Sequence, residues 1–243
     1  MRLMPWIRMP AIWLRDGELK DFGWKKKSLV QGSTAIAALQ LYIAMLTQSH
    51  EVWQDEEDDY VLECDATFNR LSEITGLSRA LVAAGVKALL KAERITITKD
   101  GRNNHYRFPD FDSSGHWCKL PSRALYNQSS RQIEAFQLFH KRTMCELDAL
   151  KLFLFYAANR DNNAFHAMCS FEVINKKTGI PEKRIPAANA FLISVGLLVN
   201  IGKEKSEEDG IRKREANQYF LRGHRQFFIN SKVAPDKAPS RTV

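Results

Sequence analysis

The chain has 243 residues, 44% of them hydrophobic and 26% charged, with 14 Phe, 6 Tyr and 5 Trp. That composition excludes wholesale disorder and leaves room for one large domain or two small ones. Lys and Arg number 36 against 28 Asp and Glu, a net charge of +8, which suggests an anionic partner without choosing among nucleic acid, a membrane surface and an acidic protein.

Charge is unevenly spread. Residues 1–110 balance 15 basic against 15 acidic side chains, whereas residues 111–243 hold 21 against 13 and so carry the whole excess. Cys64, Cys118, Cys145 and Cys169 have none of the short spacings of a zinc knuckle or a redox pair, and they read as reduced thiols of a cytoplasmic protein.

In chain order, residues 1–32 read as an N-terminal extended arm. Pro5, Arg8 and Pro10 make its start a poor signal peptide. Trp13-Leu14-Arg15 is expected to be extended and to lead into a helix over Thr34–Gln48, where Ile36, Leu39, Ile43 and Leu46 fall near helical spacing. The uncharged stretches Ser28–His50 and Ile185–Gly202 contain too many polar residues, glycines and prolines for a membrane span, so both read as core and no membrane partner is expected. Glu51 to Asp65 holds eight carboxylates and no base, and its Asp55–Asp59 run reads as a solvated loop.

From Phe68 the chain repeats itself. Phe68–Thr98 aligns without a gap to Phe171–Ile201 at an offset of 103, with Thr75-Gly76-Leu77 on Thr178-Gly179-Ile180 and Leu89-Leu90 on Leu192-Ile193. Only five of the 31 positions are identical. The order of elements is what recurs: helix, short strand, helix, turn, helix, strand, loop, strand. The first copy ends in strands expected at Ile95–Lys99 and His105–Phe108. The second starts from Trp117-Cys118-Lys119-Leu120-Pro121 and a helix over Glu146–Asn159, and it ends in strands at Leu197–Ile201 and Gln218–Leu221. Glycine permits the positive φ that closes the second helix of each copy, and Ser78 is a candidate N-cap for the third. The boundaries that follow are 1–32 for the arm, 33–110 for the first unit, 111–145 for a linker with an extra helix at Arg131–Met144, 146–230 for the second unit, and 231–243 for a tail read as disordered.

A helix-turn-helix followed by a two-stranded hairpin resembles the winged-helix fold. The pattern Trp117–Pro121, Leu152-Phe153-Leu154-Phe155-Tyr156, Thr178-Gly179-Ile180 and Val195-Gly196-Leu197-Leu198 is similar to winged-helix domains of plasmid and phage replication initiators and of MarR-like regulators. The fold class that the resemblance implies is mainly α with small β-wings (α+β), as two winged helix-turn-helix domains in tandem. It also implies double-stranded DNA as the partner, with the third helix in the major groove and the wing on the backbone.

On this sequence the implied contacts are Ser78, Arg79 and Lys87 on the first third helix, and Lys99, Arg102, Asn103, Asn104 and Arg107 on the first wing. In the second copy they are Lys176, Lys177, Lys183 and Arg184 around the turn, and Lys203, Lys205, Arg212, Lys213 and Arg214 on the wing. Arginine can pair with guanine and asparagine with adenine, while wing lysines suit phosphate. Pro186 would break a helix unless that helix starts just before it. The five tryptophans read as packing anchors rather than base-stacking platforms.

No catalytic, metal or cofactor motif is present in the sequence, so neither enzymatic activity nor a cofactor is expected. The expected function is sequence-specific DNA binding as a transcriptional regulator. The alternatives are a plasmid or phage replication initiator binding origin repeats, and a protein-interaction module without DNA. A homodimer, or a replication or transcription protein, is a further possible partner.

Overall fold

The computed structural model describes residues 3–25, 27–55, 58–100, 103–127, 131–203 and 216–229. Strand β1 (Trp6–Pro10) is followed by one helical turn, α1 (Ile12–Asp16), and a 3-10 turn at Glu18–Asp21. Two short parallel strands, β2 (Phe22–Gly23) and β3 (Val30–Gln31), then lead into α2 (Gly32–Thr47). The expected extended segment at Trp13–Arg15 is therefore helical. Gly17 closes it at φ +94°, with its N–H on the Trp13 carbonyl, and the turn buries Trp13 and Leu14.

The first unit continues with β4 (His50–Gln54), β5 (Asp59–Cys64), α3 (Phe68–Thr75), α4 (Arg79–Lys91), β6 (Thr96–Asp100) and β7 (Asn103–Arg107). Its strands form one antiparallel sheet in the order β4-β5-β7-β6. The acidic stretch is thus a hairpin, with the described residues of the Asp55–Asp59 run at the turn that joins its strands, as expected, up to Asp59, which opens β5. Its described carboxylates at Asp55, Asp58 and Asp59 cluster near the tip, while Val61, Leu62 and Cys64 turn into the core.

In the second unit β8 (Trp117–Pro121) leads to α5 (Met144–Asn159), β9 (Ala167–Cys169), α6 (Phe171–Thr178), α7 (Ile185–Ser194), β10 (Leu198–Lys203) and β11 (Asn217–Leu221). The sheet order β10-β11-β9 repeats the order β6-β7-β5 of the first unit. Among the described residues, seven α-helices and these small antiparallel sheets make a mixed α+β protein. The expected helix at Arg131–Met144 is absent; in its place is a 3-10 turn at Glu134–Leu138. Ile133, Phe136 and Phe139 recur every three residues, the 3-10 period, and all three are buried. This segment bridges the halves: the Ile133 N–H donates to the Ile74 carbonyl of α3 at 2.9 Å, and Phe139 meets Phe191 of α7 edge-on at 5.0 Å.

The duplication extends to single hydrogen bonds. Thr75 Oγ1 donates to the Leu71 carbonyl and accepts from the Leu77 N–H; Thr178, 103 residues on, does the same with Ile174 and Ile180. The side chains of Ser72 and Asn175 both donate to the carbonyl beyond the turn, those of Leu77 and Ile180. Gly76 at φ +69° and Gly179 at φ +71° occupy the left-handed corner, where a β-carbon would be strained.

A second pairing relates the two units. β1 and β8 are antiparallel with Trp6 opposite Pro121, Arg8 opposite Lys119 and Pro10 opposite Trp117. Each strand reads Trp-x-x-x-Pro, so the ribbon looks the same from either end and defines a local pseudo-two-fold. The side chains obey it too. Trp6 and Trp117 lie parallel at 6.3 Å, with Arg8 over the Trp117 ring at 4.8 Å and Lys119 over the Trp6 ring at 4.7 Å. Helices α2 and α5, which follow these strands, pack together inside one continuous apolar core that spans both units.

Residues 3–25 and 27–31 belong to that body and are not a projecting arm. The Trp13 indole donates to the Tyr42 hydroxyl at 3.0 Å, Glu18 pairs with Arg94 after α4, and the Arg15 side chain donates to the Ala158 carbonyl of α5 at 2.8 Å. All four cysteines are free thiols, and burial pushes Cys64, Cys118 and Cys169 up to about 12. The 231–243 tail lies outside the described residues.

Candidate nucleic-acid interface

Each unit presents the same local frame, a helix, a glycine-cornered turn, a second helix and a hairpin. In the first, Ser78 caps α4 by accepting the Leu81 N–H at 3.3 Å, so its oxygen is engaged in starting the helix. α4 buries Val82, Gly85, Val86 and Leu89. Its opposite stripe, Arg79, Ala83 and Lys87 at i, i+4 and i+8, is exposed. Two cations flanking small side chains leave that stripe able to approach a surface closely. Gly85 sets how tightly the helix is held behind: a β-carbon there would meet Leu41 Cδ1 at 2.5 Å and the Ala38 backbone N at 3.2 Å.

The first hairpin is formed as expected, with Lys99 in β6, Asn103 and Asn104 in β7, and Arg107 opposite both Thr96 and Glu63. Asn104 and Arg107 are half-buried, so neither is a freely projecting tip. His105 lies between them and holds Asp65 through Nδ1 at 2.6 Å. Arg102 lies outside the described residues, as do Lys205, Arg212, Lys213 and Arg214 of the second hairpin; Lys203 ends β10.

The second unit differs in where its cations sit. Pro186 falls in the first turn of α7, where no N–H partner is lost, and the 3-10 turn Glu182–Arg184 precedes it. The late start shortens the helix. Its exposed residues Pro186, Ala187, Ala190, Ile193 and Ser194 carry no charge. Lys176 and Lys183 are exposed and Lys177 is half-buried, so the cations lie before the helix and not along it.

Arg184 is not a projecting base reader in this structure. It forms an ion pair with Asp148 of α5, Nε to Oδ2 at 3.0 Å and Nη2 to Oδ1 at 3.1 Å. Asp148 is only 3% exposed, and burial raises its carboxyl while Arg184 and Lys151 act to keep it ionised. Lys151, 5% exposed, donates to the Phe22 carbonyl at 3.0 Å, and burial lowers its ammonium to about 8.

The fold also brings in cations that the sequence assigns to the neutral half. Lys20, Lys25 and Lys27 of the N-terminal segment line a cleft of about 380 Å³ together with Lys151, Arg184 and the Thr178-Gly179 turn. The second unit's turn is thus more basic than its own sequence. Nothing local in the sequence signals this; the Trp-x-x-x-Pro repeat at Trp6 and Trp117 was the one available clue that the N-terminus folds against the second unit.

Of the tryptophans, Trp13 is a buried anchor as expected, and Trp6, Trp24 and Trp117 are half-buried. Trp53, 46% exposed, stands against Tyr60 at 5.0 Å on the acidic hairpin and does not anchor the core. Among the described residues no cluster of His, Cys, Asp or Glu could hold a metal ion, and no helix is long and apolar enough to cross a membrane. No protein-family model, curated protein or solved structure matches the chain.

Proposed function

We propose that the protein is a sequence-specific binder of double-stranded DNA, built as two winged-helix units in tandem. The observation that carries this reading is the repeated helix, glycine turn, helix and hairpin, whose hydrogen bonds recur 103 residues apart and whose units are joined across the symmetric β1–β8 ribbon. A pseudo-two-fold within one chain imitates the two-fold dimers that place their helices in successive major grooves, roughly 34 Å apart. In this reading α4 is the principal base-reading helix, through Arg79 and Lys87, and the basic turn before α7 acts mainly on phosphate. The proposal extends to a cytoplasmic protein without catalysis, serving as a transcriptional regulator or as an initiator on origin repeats.

Selection of bound duplexes from a random pool, at low and at physiological salt, tests the reading. Two half-sites about one helical turn apart are expected, and Arg79→Ala should relax the preference in one half-site by about 1–3 kcal/mol. No recovery at low salt would refute DNA binding. A second reading, a protein-interaction surface, is favoured only at the acidic β4–β5 hairpin, whose exposed Trp53 and Tyr60 suit a protein partner and whose charge would repel phosphate.

A further inference from the structure

The cleft between the N-terminal segment and the second turn serves neither the core nor a helix cap. Five of its lining side chains are cations, Lys20, Lys25, Lys27, Lys151 and Arg184, against one lining carboxylate, Asp148, which Arg184 already pairs. Charges in such excess around a concave surface repel one another, and folding concentrates them here from chain segments more than 120 residues apart. At its floor Lys151 is nearly inaccessible and has one hydrogen-bond acceptor, the neutral Phe22 carbonyl; the negative charges acting on it are Asp148, which also pairs Arg184, and Asp21, so the cations still outnumber the carboxylates here. Lys25 and Lys27 are exposed at the rim, and the half-buried Trp24 is also among the lining residues. A tetrahedral oxyanion bearing close to two charges, with several acceptor oxygens, satisfies this arrangement; a single carboxylate would leave most of the donors unused.

We propose that this cleft is a phosphate-binding site. The phosphate is either a backbone group of duplex DNA, in which case the site deepens the DNA reading and rests on it, or part of a free phosphorylated small molecule. In the first case the N-terminal segment and the second turn grip one stretch of backbone together and fix the orientation of α7, whose own face has no charge. In the second, the ligand joins the segment to the turn and sets that orientation before any DNA is met.

The test uses the full chain and the double variant Lys25→Ala/Lys27→Ala, which alters only exposed side chains. Pyrophosphate is titrated calorimetrically at fixed ionic strength, and non-specific duplex binding is measured across a salt series. Saturable pyrophosphate binding, weakened at least about tenfold in the variant, establishes a free-phosphate site, and it would do so even if the chain bound no DNA. Without pyrophosphate saturation, a fall of about one to two in the salt slope of DNA binding for the variant, with no fall for Arg123→Ala/Arg225→Ala outside the cleft, establishes a backbone-phosphate site. Absence of both effects overturns the proposal; if the chain then still binds DNA, with an unchanged slope, the DNA reading stays intact.

Discussion

Lys151 gives the sharpest quantitative expectation, because its burial must appear in the pH dependence of folding. The ammonium is held at about 8 inside the fold, chiefly by burial and against the attraction of Asp148, while the unfolded chain would titrate near the ordinary lysine value of about 10.4. Between those values the unfolded state binds more protons, so stability rises with pH; below about 8 the penalty for the buried charge is fully present. Integrated from about pH 7 to about pH 9.5, one such group adds about 2 kcal/mol. Lys119 and Lys141, both also lowered by burial, act in the same direction in any variant that retains them. Lys151→Met keeps a side chain of similar length and removes the titration. Urea unfolding followed by circular dichroism across that range should therefore show wild type gaining about 2 kcal/mol more than the variant. Equal pH dependence in the two proteins would refute a charged, buried Lys151, and with it the electrostatic premise of the cleft.

Two further substitutions probe the frame. Gly85→Ala should gain about 1 kcal/mol of helix propensity but lose about 1–3 kcal/mol by crowding the Ala38 backbone, for a net lower thermal midpoint; a stabilised variant would mean that α2 and α4 separate easily. Position 188, its counterpart in the second unit, is already Ala, so the close approach belongs to the first unit. Glu146 caps α5 by accepting the N–H groups of Lys141, Arg142 and Thr143 at 2.8–2.9 Å. Burial opposes its ionisation, yet these bonds together hold the carboxyl below its ordinary range. Its contribution is present above the unfolded value of about 4.3 and is lost as pH falls through the lower folded value. Glu146→Ala should cost about 2–3 kcal/mol near neutrality and flatten the acid limb of a denaturation profile; an unchanged limb would count against the cap.

The repeated frame was legible in the sequence because it rests on short-range rules. The Thr-Gly corners need a left-handed residue, the cap at Ser78 acts three residues ahead, and the apolar spacing of Thr34–Gln48 and Glu146–Asn159 is helical, so both helices and both hairpins stand within about two residues of expectation. Where local pattern was ambiguous the reading failed. Trp13–Arg15 looked extended but has a helix-closing glycine behind it, Arg131–Met144 has a period of three rather than 3.6, and the acidic charges between Glu51 and Asp65 concealed a second strand beside the one expected there: β4 pairs with β5, which in turn pairs with β7.

The candidate site divides in the same way. The exposure of Arg79 and Lys87 follows from the helical period and could be read directly, whereas the fate of Arg184 depended on Asp148, 36 residues earlier on another helix. The symmetric β1–β8 ribbon and the gathering of Lys20, Lys25 and Lys27 beside the second turn join segments more than a hundred residues apart. The sequence alone therefore determined the elements and their duplication, through interactions within three or four residues. Only the tertiary structure decided which charges share a surface, because that depends on which distant segments bury their apolar sides together.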